Sequence, residues 1–423
     1  VNLLKTTLDN GLLVLLQESH TAPVISFWVW YRVGSRNEHL GITGVSHWVE
    51  HMMFKGSRQW PLGTMDRAIA REGGYFNAMT WYDFTAYYTT LPAAKVMLAL
   101  EIESDRMTHA LFREEDVESE RTVIISERQG AENNPGFLLG EALTATAYHV
   151  HPYRYETIGH LCDLQAMGRD DLYTHYRRYY IPNNAIIAAA GDFNAGEMLR
   201  IIERYFAPIP AGEDPPAVHA VEPAQRGERR VTVEGEGGTD LLSMAYHIPP
   251  ATDEAIYPLT ILAAVLAGGS ATLVGGGLTN HTSRLYRALV ESELAVDVSA
   301  QIIPMIDPGL FHLHATLHNG HHPDEIEPLI LEAIKAIATE GIDERELERA
   351  KRQASALFAY SSESITNQAF WLGFSEIFAD YTWFIHYLQR LKAVKAEEVQ
   401  AVARRYFERR NRTVGLYLAG DGR

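Results

Sequence analysis

Two histidines four residues apart, His47 and His51, stand with a carboxylate, Glu50, just before the second. On a helix an i,i+4 pair shares one face, so both imidazoles can reach a single ion. Zinc takes imidazole nitrogen readily, and a catalytic zinc site has three protein ligands and a fourth position kept for water. His47 and His51 supply two of the three. Glu50 falls one residue off the ligand face, where it reaches the bound water rather than the ion and can deprotonate it as a general base.

The third ligand has to come from another segment, and the best acidic helix runs from Asp116 to Arg128. Glu120 and Glu127 are seven apart and return to nearly the same face, beside an apolar stripe of Val117, Val123 and Ile124, so that face is expected to be partly buried. A buried carboxylate needs a cation or donors. One of the pair suits a metal ligand and the other a group that orients an imidazole. Taken alone, the same acids also read as ordinary helix surface, with charge pairs such as Glu114 or Glu118 with Arg121.

The order H-x-x-E-H reverses the commoner H-E-x-x-H and is the inverzincin signature. The segment from Gly44 to Ser57, GVSHWVEHMMFKGS, resembles the opening of the pitrilysin and mitochondrial processing peptidase family. In that family a glutamate ligand follows about 76 residues on, and Glu127 stands 76 positions after His51. The resemblance extends to Leu12–Leu15, Val29–Glu38 and Gly73–Thr80. It implies one zinc per chain, with Glu127 as third ligand, Glu50 as base and Glu120 as the outer acid. The activity it implies is endopeptidase or oligopeptidase cleavage of extended or unfolded peptides.

The frame that must position these groups is large: 423 residues, 46% hydrophobic and 22% charged, enough for two or more domains. The formal charge of −17 argues against nucleic acid, whose phosphates demand clustered Lys and Arg. No run approaches the roughly 18 apolar residues of a membrane helix, so insertion is not expected. The start shows no signal sequence, yet a removed export signal fits a periplasmic enzyme of bacterial type, with the cytoplasm as runner-up. The single Cys162 excludes an intramolecular disulfide.

The stretch from Asp171 to Asp192 reads as helix, turn, buried strand and tight turn, and Glu397 to Gly420 repeats that plan. Two tandem copies of about 200 residues follow. We expect a zinc-bearing domain at 1–207, a proline-stiffened link at 208–230 and a homologous domain without the motif at 231–423. Strand composition at Phe84–Thr90 and Phe311–His318, each followed by a helical stretch, points to an α+β class with helices over mostly antiparallel or mixed sheets. The resemblance adds that the two domains face each other around a cavity, as half of a clam shell.

Substrate is expected on an exposed strand edge after Gly73-Gly74, where an extended peptide can add by β-augmentation. By resemblance that strand carries Asn77 and Ala78 as binding residues. On residue types alone it reads better as a hairpin turn feeding an aromatic core strand, and only its place between the motifs favours the binding edge.

The second half departs from the first. Leu278–Tyr286 occupies the place of the metal helix and lacks the motif, and the clusters Gly268-Gly269 and Gly275–Gly277 resemble the flexible loop of a noncatalytic processing subunit. Where relatives carry an arginine and a tyrosine that stabilise the tetrahedral intermediate, this chain has Val290 and Val296, with one residue fewer between them. A homologous partner subunit would supply the pair in a heterodimer. The runner-up is a homodimer that uses Tyr286 or His281.

Two further groups have blander readings. His312, His314, His318, His321 and His322 could hold a second metal, and read better as a wet loop after a strand. The aromatics from Phe370 to Tyr387 read as helical core. The competing function is a noncatalytic peptide-binding or assembly subunit of a processing-protease-like complex.

Overall fold

Ala185–Gly191 is an unbroken run of Ala, Ile and Gly, the pattern of a strand covered on both faces, and it is buried from end to end. In the computed structural model, which describes residues 3–268 and 281–420, this strand sits inside a six-stranded sheet. The strands are β1 (Leu3–Thr7), β2 (Leu13–Glu18), β3 (Val24–Tyr31), β4 (Tyr75–Thr80), β5 (Thr85–Pro92) and β6 (Ala185–Gly191), ordered β1-β2-β6-β3-β5-β4. A second sheet holds β7 (Arg229–Glu236), β8 (Leu241–His247), β9 (Ala295–Ile302), β10 (Leu310–Leu317) and β11 (Arg412–Gly420), ordered β7-β11-β8-β10-β9.

The two orders superimpose once β1 is set aside. In each sheet the last strand of its half inserts beside the first and runs parallel to it, β6 with β2 and β11 with β7, while the remaining pairs are antiparallel. The repeated helix-then-strand endings of the sequence are these two inserted strands. The chain is thus α+β, with two homologous sheet-and-helix domains in tandem.

The compact units are not two uninterrupted stretches. One comprises Val1–Gln129, Tyr155–Ala220 and Glu363–Tyr381, and the other Gly130–Arg154, Val221–Ser362 and Thr382–Arg423. The helix Pro135–Ala147 packs on β7, β8 and β11, whereas the helix Ile365–Phe378 packs on β3 and β6. Each half therefore lends one helix to the other half's sheet. Phe370 and Phe374 are core, as expected, but the core they fill is under Trp28 and Trp30 of β3, at 5.5 and 6.5 Å between ring centroids. Residues 210–228, with the expected prolines, contain no helix or strand.

Beneath the first sheet the helix Val96–His109 buries an ion pair. Arg106 and Glu103 are 0% and 1% exposed, joined at 2.8 and 2.5 Å, and the guanidinium lies over the Tyr87 ring at 4.3 Å. Removing one partner strands a buried charge, which costs about 3–5 kcal/mol, while replacing both by apolar groups costs far less. Urea unfolding should show Arg106→Met well below wild type and Arg106→Met/Glu103→Leu above that single variant. Equal midpoints for the single and double variants would mean that the pair carries no such coupling.

Among the described residues no helix is long and apolar enough to cross a membrane. Gly269, Gly275–Gly277 and the start of the 278–286 segment lie outside the described residues. Tyr286–Val290 forms a π-helical turn, and Val296 opens into β9 with 56% of its surface exposed.

Candidate metal centre

The motif lies on the helix Val45–Met52, whose apolar side, Val45, Trp48, Val49 and Met52, is buried in the first domain's core. Its start is held firmly. The buried Glu38 carboxylate accepts the N–H groups of Gly44 at 2.7 Å and Ser46 at 2.8 Å, which satisfies two donors that a helix N-terminus leaves open. Gly44 has φ 86°, and a Cβ there would lie 2.5 Å from Ile158 O, so only glycine fits. Arg121, on the helix Glu114–Glu132, lies over the Trp48 ring at 4.9 Å and ties the two helices together.

That second helix carries both acids. Val117 and Ile124 are fully buried, but Val123 is 48% exposed, contrary to the stripe expected of all three. Seven residues return to one face, whereas position 123 is turned about 100° from 124. Glu120 is buried and Glu127 is exposed.

Glu120 Oε1 sits 2.8 Å from His51 Nδ1, and its other oxygen pairs with Lys55. With Nδ1 engaged, His51 turns Nε2 toward Glu127 at 3.7 Å, and His47 Nε2 lies 3.8 Å from the other Glu127 oxygen. Tetrahedral ligands about 2.0–2.2 Å from zinc stand roughly 3.4 Å apart, a spacing close to the two contacts that Glu127 makes. Among the described residues this is the one group of three His, Cys, Asp or Glu side chains whose ligand atoms converge, all within 4.8 Å. The histidines from 312 to 322 form no such group.

Electrostatics act differently on the three groups around the site. Burial, aided by His51, holds the His47 pKa down to about 3, leaving a neutral imidazole. For His51 burial opposes the charge, but the bond to Glu120 and the acids around it lift its pKa above the ordinary value. Burial pushes the Glu50 carboxyl up to about 7, against the hydrogen bond from Thr80 Oγ1 at 2.6 Å.

His175 supports the same helix, with Nε2 3.1 Å from Ser46 Oγ. Burial, with Arg178 nearby, lowers its pKa to about 3. A depressed folded value means that the unfolded chain takes up the proton first as pH falls from about 6.5. Stability from this group is present above that pH and is lost toward about 3, by at most about 1.4 kcal/mol per unit. Glu38, pushed up to about 7 by burial, acts in the opposite sense between about 4.5 and 7. The slope of melting temperature against pH below about 4.5 should therefore be shallower in His175→Asn than in wild type. Identical slopes would place the titrating group elsewhere.

Residues 13–160 match the insulinase family, peptidase family M16, and residues 166–354 match the peptidase M16 inactive domain. The chain belongs to the M16 family. The M16 zinc-metallopeptidase likeness runs through nearly the whole length. An uncharacterized zinc protease of Streptomyces coelicolor is 27% identical over 420 residues, 96% of this chain and 87% of that protein. The "probable mitochondrial-processing peptidase subunit beta" of Arabidopsis thaliana is 27% identical over 417 residues, 95% of this chain and 75% of that protein. The crystal structure of a protease from Helicobacter pylori superimposes with a TM-score of 0.92 at 26% identity, covering 98% of this chain and 99% of that one.

Of the residues singled out in this M16 chain, His47, His51 and Glu127 converge, and Glu50 and Glu120 stand beside them. Asn77 and Ala78 lie on β4, which is an edge of its sheet. The Asn77 side chain accepts from the Ala78 N–H at 2.9 Å. His281 and Tyr286, the suggested substitute donors, are ring neighbours at 4.5 Å in the second unit. Sequence reasoning missed Glu38, Lys55 and Thr80 as functional contacts. Lys55 lies just past the end of the motif helix, in the turn after Met52. Glu38 stands only six residues before Gly44, whereas Thr80 reaches Glu50 through tertiary packing and leaves no local signal.

Proposed function

We propose that this chain is a zinc-dependent endopeptidase or oligopeptidase of extended peptides, with one zinc held by His47, His51 and Glu127. The observation that carries the reading is the convergence of those three ligand atoms beside a buried carboxylate, Glu50, held by the Thr80 hydroxyl. Zinc bound there would supply Lewis acidity toward a water molecule and the peptide carbonyl. Glu50 takes the water's proton and returns it to the leaving amine. Glu120 and Lys55 keep His51 oriented, with Nδ1 engaged and Nε2 facing Glu127.

The open edge of β4 receives the peptide backbone, and neighbouring side chains select alternate residues. The Ala78 N–H exchanges its bond to the Asn77 side-chain oxygen for one to a substrate carbonyl, and Asn77 donates to the substrate backbone through its side-chain amide N–H. Val290 and Val296 offer no donor to an oxyanion, and a homologous subunit supplying an arginine and a tyrosine completes the site. The same valines favour the second reading, a noncatalytic subunit that binds peptide without cleaving it.

Hydrolysis of a quenched fluorescent peptide without stable structure tests the proposal. Activity should vanish on chelation and return with one equivalent of zinc. Hydrolysis indifferent to chelation would overturn it.

A further inference from the structure

We propose that Thr80 is the positioning residue for Glu50, so that one strand both aligns the peptide and sets the base. The inference rests on the reading of Glu50 as base. Glu50 is 8% exposed, and the only hydrogen-bond partner of its carboxylate among the described residues is Thr80, whose Oγ1 lies 2.6 Å from Oε2. The Thr80 hydroxyl has a single proton to place. Its other neighbour, Thr85 Oγ1, is 3.4 Å away and donates its own proton to Val33 O at 2.9 Å. The short contact to the carboxylate therefore takes the Thr80 proton.

Strand alternation explains why a hydroxyl is there. Phe76, Ala78 and Thr80 share one face of β4, toward the helix that carries the motif. Phe76 meets Phe54 at 5.3 Å between ring centroids, and Ala78 packs against the core. Thr80 ends the strand, cross-paired with Thr85 through the turn closed by Trp81 N and Phe84 O at 2.8 Å. A backbone so fixed holds one Glu50 oxygen in place and leaves the other to face the reacting water. The Asn77–Ala78 edge lies only two residues earlier on the same strand. A peptide added to that edge is thereby registered against the base.

Thr80→Val keeps the shape and strand preference and removes the donor; Thr80→Ser keeps the donor. With zinc-loaded protein, Thr80→Val should lower kcat about 10- to 100-fold at unchanged KM and zinc content, and Thr80→Ser should recover to within about threefold. Crystal structures of both variants give a readout independent of turnover. Glu50 should swing away from its wild-type position in Thr80→Val and keep it in Thr80→Ser. A Glu50 carboxylate unmoved in Thr80→Val, an unchanged kcat, or a raised KM with kcat intact would each overturn the proposal. Wild-type protein that cleaves no peptide would sink the peptidase reading, while the crystal comparison would still decide whether Thr80 places Glu50.

Discussion

Glu50→Gln protein should lose about 10²- to 10⁴-fold in peptide turnover while keeping its zinc. Glutamine preserves the length of the side chain and can still accept from the Thr80 hydroxyl, now 2.6 Å from Glu50 Oε2. It cannot accept the proton that hydrolysis releases. None of the three converging ligand atoms belongs to residue 50, so metal content should stay at the wild-type level. Alanine at His47, His51 or Glu127 should instead lose metal and activity together. The split between these two outcomes separates a base from a ligand. A Glu50→Gln enzyme with full peptidase activity would remove Glu50 from the mechanism.

Adding a homologous subunit that carries the arginine and tyrosine should raise turnover about 10²- to 10³-fold, the usual effect of an oxyanion donor. Val290 lies in the turn before β9 and Val296 on β9 itself, and an aliphatic side chain at either place donates nothing. The measurement is hydrolysis of one peptide by the chain alone, the partner alone and the mixture. If the mixture is no faster than the chain alone, the heteromer falls and the homodimer takes its place. Tyr286→Phe or His281→Ala should then cut the rate of the single chain.

Local chemistry was legible in the sequence. His47, Glu50 and His51 are four residues apart at most, so helix geometry alone groups them, and the seven-residue step from Glu120 to Glu127 brings two acids onto one face. The halves were legible too, because a helix followed by a buried strand recurs at Asp171 and Glu397. What stayed hidden depends on which surfaces meet. The helices Pro135–Ala147 and Ile365–Phe378 are apolar enough to cover either sheet, and their sequences do not say which; each covers the sheet of the opposite half. Val123 was misplaced for a different reason, since its neighbour Ile124 and not Val123 shares the Val117 face. Thr80 acts on Glu50 from β4, across a distance in the chain that no periodicity encodes.

The most direct test of the whole account is metal analysis of the purified chain beside Glu127→Ala and Glu50→Gln. The account predicts one zinc per chain in wild type and in Glu50→Gln, and none retained in Glu127→Ala. A wild-type chain without zinc after purification and zinc addition, or a Glu127→Ala chain that binds it as tightly as wild type, would contradict it.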